Sequence, residues 1–143
     1  MTKTIILSAI LFIIISVGCT DSTDLTSSKV PSVVINKIID SAIVRVNYGQ
    51  EVSIENNTLI KFDGVSDSRC PMDVVCVWAG DGGVSLSLSN GREQLHSFLH
   101  TTLFPREISY NGYRIILKSL NPYPKSSSPT KLDEYYIELI IKR

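Results

Sequence analysis

The residues of this 143-residue chain whose types could do chemistry are three cysteines, two histidines and a cluster of aspartates. Cys70 and Cys76 could form a disulfide, ligate zinc or act as a redox dithiol. Zinc needs two further ligands at suitable spacing, which the neighbourhood does not offer, and redox pairs usually have two intervening residues where this pair has five. His96 and His100 would share one face of a helix, as zinc ligands do, but their surroundings read as a strand. Four strand residues span roughly 13 Å, too far for one zinc ion. Serines are plentiful, yet there is no Gly-x-Ser-x-Gly elbow and no arrangement of serine, histidine and carboxylate to make a nucleophile. Asp63, Asp67, Asp73 and Asp81 gather around the cysteines and could offer oxygens to calcium, but their spacing is not that of an EF-hand loop. A solvated acidic region, with Asp67 or Asp73 paired to Arg69, is the expected arrangement. No catalytic residue, metal ligand or cofactor is assigned.

The N-terminal residues explain the odd cysteine. Lys3 is the only charge before an apolar or small run from Ile5 to Val17, followed by Gly18 and Cys19. This is the layout of a signal peptide, and at about thirteen residues the run is short of the roughly twenty a membrane-spanning helix needs. Ser16-Val17-Gly18-Cys19 resembles the lipobox of bacterial lipoproteins, although leucine is commoner where Ser16 stands. The resemblance implies cleavage before Cys19 and lipid attachment to its sulfur, with enough acyl chain for stable anchoring. Residues 1–18 are therefore expected to be a lipoprotein signal peptide, and residues 19–32 a flexible polar tether holding the domain about 20 Å from the lipid. Thr20 is not the aspartate that can retain lipoproteins at an inner membrane, which leans toward an outer location in the cell envelope.

With Cys19 accounted for, Cys70 and Cys76 remain as a pair in an oxidising compartment, and a disulfide is the expected state. It would pin Pro71 to Val75 into a rigid loop.

Around these residues the chain reads as strands. Val84, Leu86 and Leu88 alternate with serines up to Asn90-Gly91, which predicts a two-residue hairpin and a return strand from Arg92 to Leu99. Asn111-Gly112 predicts a second hairpin, with Tyr110 facing Tyr113 and Ile108 facing Ile115. Tyr113, Ile115 and Leu117 would point inward, as would Tyr135, Ile137, Leu139 and Ile141 in the C-terminal strand. Ile43–Tyr48, Gln50–Ile54 and Thr58–Asp63 are further short strands, Val33–Ile39 is ambiguous, and Asn121–Lys131 with its three prolines is a surface loop. The fold class expected for residues 33–143 is an all-β antiparallel sandwich, or a partly open barrel, of about eight strands. The composition, 43% hydrophobic and 20% charged, suits one such core.

Two segments carry a resemblance. Asp67-Ser68-Arg69-Cys70-Pro71 with Cys76-Val77-Trp78-Ala79-Gly80, and the later Gly112-Tyr113-Arg114-Ile115 through Leu120-Asn121-Pro122-Tyr123-Pro124, resemble the signature of an uncharacterised family of small secreted proteins and lipoproteins of bacteria. The resemblance implies an exported β domain and no assigned activity.

The charge balance, 14 basic against 14 acidic residues, offers no basic stripe and argues against nucleic acid as a partner. The expected partners are the membrane, through the lipid anchor, and an envelope protein or glycan. Trp78, Met72 and Tyr123 are the candidate binding residues. Trp78 is expected to pack against the disulfide inside the sandwich; exposed, it would be a platform for a sugar or protein. The expected function is a lipid-anchored envelope domain, not an enzyme, acting by binding or structural contact. The alternatives are a protease inhibitor presenting the disulfide loop and, further off, a metal-assisted hydrolase.

Overall fold

The structure, a computed structural model, describes residues 33–143, so the signal, Cys19 and the tether lie outside the described residues. Nine strands follow one another: β1 (Val33–Val34), β2 (Ser41–Asn47), β3 (Glu51–Ile54), β4 (Thr58–Asp67), β5 (Gly82–Ser89), β6 (Gln94–His100), β7 (Glu107–Tyr110), β8 (Tyr113–Asn121) and β9 (Tyr136–Lys142). A single 3-10 turn, Leu132–Glu134, precedes β9. One sheet has the order β1-β3-β4-β5-β6 and the other β2-β9-β8-β7. The expected all-β, sandwich-like architecture is what the chain adopts, with nine strands in place of about eight. The extra one is β1, drawn from the ambiguous segment, and it pairs in parallel with β3 where every other pair is antiparallel.

Alternation explains the core. Val84, Leu86 and Leu88 of β5 meet Ile115 and Leu117 of β8 and Ile137, Leu139 and Ile141 of β9 in one cluster, each almost fully buried. The outward partners of the β5 residues are serines, so that face of the sheet is polar. The Asn111-Gly112 hairpin forms as expected: both residues have positive φ (49° and 81°), and Tyr110 pairs with Tyr113 and Ile108 with Ile115. The Asn90-Gly91 hairpin does not. Asn90 Oδ1 accepts the amides of Arg92 and Glu93, and only Gly91 of the two has positive φ, so residues 90–93 make a four-residue loop and the return strand starts at Gln94.

Two bulges reset the alternation. In β4 the register shifts between Phe62 and Gly64, so Asp63 is the extra residue, and Val65 and Asp67 come to face inward opposite Val84 and Gly82. In β8 the shift lies between Leu117 and Ser119, which turns Lys118 outward and Leu120 inward. Without these two insertions Asp67 and Leu120 would both point to solvent, because a one-residue slip exchanges the faces of a strand. Both bulges lie toward one end of the sandwich, the end that gathers the connections 68–81, 101–106 and 122–135.

Candidate functional site: the disulfide loop and its brace

The connection from β4 to β5 is where the chemistry-bearing residues converge. Its base continues the two strands as a narrow hairpin: the Ser68 amide donates to Asp81 O (2.8 Å) and the Cys70 amide to Ala79 O (2.8 Å). Gly80 makes this possible. Its φ is +71°, and a side chain there would place Cβ 1.9 Å from Ser68 O. Beyond the base, Cys70 and Cys76 are joined as a disulfide with 5.9 Å between their Cα atoms, closing the loop as expected.

Arg69 holds the loop to the rest of the molecule. Its side chain is almost fully buried, and its guanidinium is bidentate to Asp67, with Nε to Oδ1 at 2.8 Å and Nη2 to Oδ2 at 2.6 Å. Its remaining hydrogen bonds go to the carbonyls of Leu120 (Nη1, 2.6 Å) and Pro122 (Nη2, 2.9 Å). Tyr123 covers its face at 4.6 Å. The Tyr135 hydroxyl donates to Asp67 Oδ2. Burial by itself would raise the Asp67 carboxyl, but hydrogen bonds and charge from Arg69, with the Tyr135 bond, outweigh it and hold the carboxyl below its ordinary value. Tyr135 shifts the other way, pushed up by burial and by the neighbouring carboxylate.

Further stitches join the same two segments. The Met72 amide donates to Pro124 O, and Ser126 donates both its amide (2.8 Å) and its hydroxyl (2.6 Å) to Asp73. The Ser126 bonds keep the exposed Asp73 carboxyl below its usual range. The segments 67–73 and 120–126, more than fifty residues apart, are therefore the two halves of one brace. Of the expected pairings, Asp67 takes Arg69 and Asp73 does not.

The four aspartates do not form a shared site. Asp63 accepts a short hydrogen bond from the Ser87 hydroxyl on the outer face of the sheet, while Asp81 accepts His100 Nδ1 at 2.6 Å and the amides of Thr102 and Leu103. Burial raises the Asp81 carboxyl, but these bonds prevail and lower it, fixing the 101–106 connection beside the disulfide loop. The histidines each have their own partner. His96 Nδ1 lies 2.8 Å from Ser87 Oγ, which brings Asp63, Ser87 and His96 together. In that row the serine is the middle member, hydrogen-bonded to both the carboxylate and the imidazole. Among the described residues no group of three or more His, Cys, Asp or Glu side chains is placed to hold a metal ion.

The expectation for Trp78 is corrected. It is 71% exposed and does not pack inside the sandwich. The space an indole would need at this end is occupied: Gly82 has Leu120 and the Arg69 side chain so close that a Cβ there would lie 2.9 Å from Leu120 Cδ2. The apolar residues around it are exposed as well: Met72 and Val74 are largely so, and Val75 and Val77 are as open as in an extended peptide (101% and 108%). Comparison with protein-family models, with curated proteins and with solved structures finds no match to this chain. The loop must therefore be read from its own geometry. Of the three binding candidates, Trp78 and Met72 have exposed side chains, Met72 being held at its backbone to Pro124, while Tyr123 is half-engaged in covering Arg69. Sequence reasoning missed Phe104, which is 85% exposed in the neighbouring connection. The run Leu103-Phe104-Pro105, apolar residues in a segment without strand alternation, was the available signal.

The larger clefts are elsewhere. One of about 520 Å³ is lined by Ile38, Glu55 and Arg143, and one of about 710 Å³ by Asp40, Tyr113 and Arg114, both at the opposite end of the sandwich. Glu55 in the first is occupied with the Ile38 amide, the Tyr113 hydroxyl and Arg143.

Proposed function

We propose that this protein is a lipid-anchored component of the cell envelope whose β domain acts by contact, without catalysis, through the disulfide loop. The observation that carries this reading is the contrast within the β4–β5 connection. At its base Arg69 is buried and hydrogen-bonded to Asp67, Leu120 and Pro122, whereas Val75, Val77 and Trp78 at its tip are left in water. Exposed apolar surface is costly to keep on a domain with so well-filled a core, and ordering a loop beforehand lowers the entropic cost of binding through it. The Ile5–Val17 run and Cys19 support the anchor, and the disulfide fits an oxidising compartment.

The test is an intact-mass measurement on the protein purified from its native membrane, with and without reduction and alkylation. A mass beginning at Cys19 with acyl chains, and thiols that react only after reduction, is the expected result. An unlipidated mass starting elsewhere removes the anchor from the proposal.

A second reading, a protease inhibitor, is favoured by the exposure of Met72, Val74 and Val75 on a disulfide-closed loop. Titration against serine proteases of differing specificity decides it. Tight 1:1 inhibition that is lost in a Cys70→Ser/Cys76→Ser variant supports the inhibitor; cleavage of the loop without inhibition rejects it.

A further inference from the structure

The cleft of about 710 Å³ at the end of the sandwich away from the disulfide loop is lined by three cations, Arg114, Lys142 and Arg143, against a single carboxylate side chain, Asp40. Register places the first two. Lys142 of β9 stands directly opposite Arg114 of β8, and the row continues to Ser109 of β7 on one side and to Ser41 of β2 on the other. Tyr113, Ile115 and Ile141, beside the two cations in sequence, are buried, so the row lies on the outer face of the sheet.

Like charges directly opposite each other on a sheet are destabilising, and the fold does little to neutralise this pair. The carboxylate nearest Arg114 is Glu107, at 3.9 Å between two half-exposed side chains. The Lys142 ammonium has no hydrogen bond or ion pair among the described residues. Arg143 reaches Glu55 at 3.4 Å, but that carboxylate also accepts the Ile38 amide and the Tyr113 hydroxyl. Elsewhere on the same face the cations are engaged: Lys118 pairs with Glu138 at 2.9 Å, and Arg45 lies 3.5 Å above the Tyr136 ring. Unneutralised cations are thus gathered where the sheet face becomes concave.

We propose that this cleft binds the phosphate group of a polyol or sugar phosphate ester. An anion between Arg114 and Lys142 turns their repulsion into attraction on both sides. The guanidinium fork matches two phosphate oxygens, the ammonium serves a third as a point charge, and the Ser109 hydroxyl beside Arg114 is a further donor. Asp40 selects among anions. Its carboxylate repels a second negative group but accepts a hydroxyl, so a phosphate joined to a hydroxylated carbon skeleton satisfies both sides of the cleft where a bare phosphate satisfies one. Such esters occur as lipid headgroups and as soluble or polymeric molecules, and the contacts are the same. The site lies at the other end of the domain from the disulfide loop and depends neither on the loop's role nor on lipid at Cys19.

The test is a nuclear magnetic resonance titration of the isotope-labelled mature protein in neutral detergent with inorganic phosphate, glycerol phosphate and, as a control of matched ionic strength, acetate. We expect glycerol phosphate to shift the amides of Asp40, Ser109, Arg114 and Lys142 saturably, phosphate to do so more weakly, acetate hardly at all, and added salt to weaken each. An Arg114→Gln/Lys142→Gln variant, whose changes are on the outer face, should keep the spectrum of the core and lose at least about tenfold in affinity. Vesicles of phosphatidylglycerol and of phosphatidylcholine then separate the sources: broadening of the same amides by the first alone assigns a lipid headgroup, and no effect of either assigns a soluble or polymeric ester. Acetate binding as well as glycerol phosphate, saturable shifts confined to other residues, unchanged affinity in the variant, or no saturable shift with any probe overturns the inference, and none of these touches the reading of the disulfide loop.

Discussion

At the scale of single residues the decisive side chain is Arg69. A buried guanidinium that loses its partner, or a buried carboxylate that loses its guanidinium, is far more costly than the intact pair is stabilising. Arg69→Ala removes the guanidinium that neutralises Asp67 and leaves the carbonyls of Leu120 and Pro122 without their donors. We expect it to lower stability by about 3–5 kcal/mol, read as a lower urea midpoint with an unchanged slope. Acid acts on the same pair. Asp67 and Asp81 have carboxyls held below their ordinary values in the folded protein. Between the folded and unfolded values the unfolded chain binds more protons, so stability is fully present above about pH 4 and falls as the pH drops below it. Urea midpoints measured from pH 7 to pH 2.5 should stay level to about pH 4 and then decline, and in Asp67→Asn the decline should be shallower. The sequence made a pairing of Arg69 foreseeable, because an arginine beside two aspartates has few alternatives. It did not disclose that the pair is buried, since that depends on a bulge four residues earlier.

Among the elements, the β4–β5 connection concentrates the testable features. Gly80→Ala forces a residue with a side chain into positive φ, costing roughly 1–3 kcal/mol from backbone strain alone, and drives Cβ into the Ser68 carbonyl. The expected outcome is a hairpin base that opens, detected as faster proteolytic nicking between Ser68 and Asp81 and a lower melting temperature. Replacing both Cys70 and Cys76 by serine should be milder, about 2.5 kcal/mol for a loop this short, with circular dichroism of the sheets unchanged. The strands themselves were largely legible. Runs such as Val84-Ser85-Leu86-Ser87-Leu88 and Tyr135 to Ile141 declare their buried faces through a period of two, and Asn111-Gly112 declares its turn. What defeated the reading were features without a periodic signal: the bulges at Asp63 and Lys118, and an Asn90-Gly91 pair whose asparagine side chain bonds ahead to two amides. Trp78 was misplaced for a related reason. A large aromatic beside a cysteine is commonly core, and only the packing of Leu120 and Arg69 against Gly82 shows that this core has no vacancy for it.

For the molecule as a whole, two sheets with different edges define where stability resides. β3, β4 and β5 are interior to one sheet and β8 and β9 to the other, whereas β1, β6, β2 and β7 are edges. Amide hydrogen exchange should be slowest in β4, β5, β8 and β9, the long interior strands, at the level of global unfolding, and fastest in the two-residue β1. The pairing of β2 with β9, almost a hundred residues apart, and of β1 with β3 in parallel could not be read from local patterns, because neither is joined by a short turn. The class of fold was recoverable because it depends on how many alternating runs there are; the order of strands depends on which edges meet.

The division of the β4–β5 connection into a bonded base and an unbonded tip makes the domain a natural display scaffold. Since Val74, Val75, Val77 and Trp78 donate no side-chain hydrogen bond and fill no part of the core, their identities are free to vary with whatever they touch, while Asp67, Arg69, Gly80 and the cysteines are constrained by the fold. A foreign hexapeptide in place of residues 73–78 in a Cys70→Ser background, or a randomised tip within the intact disulfide, would be carried on an unchanged sandwich.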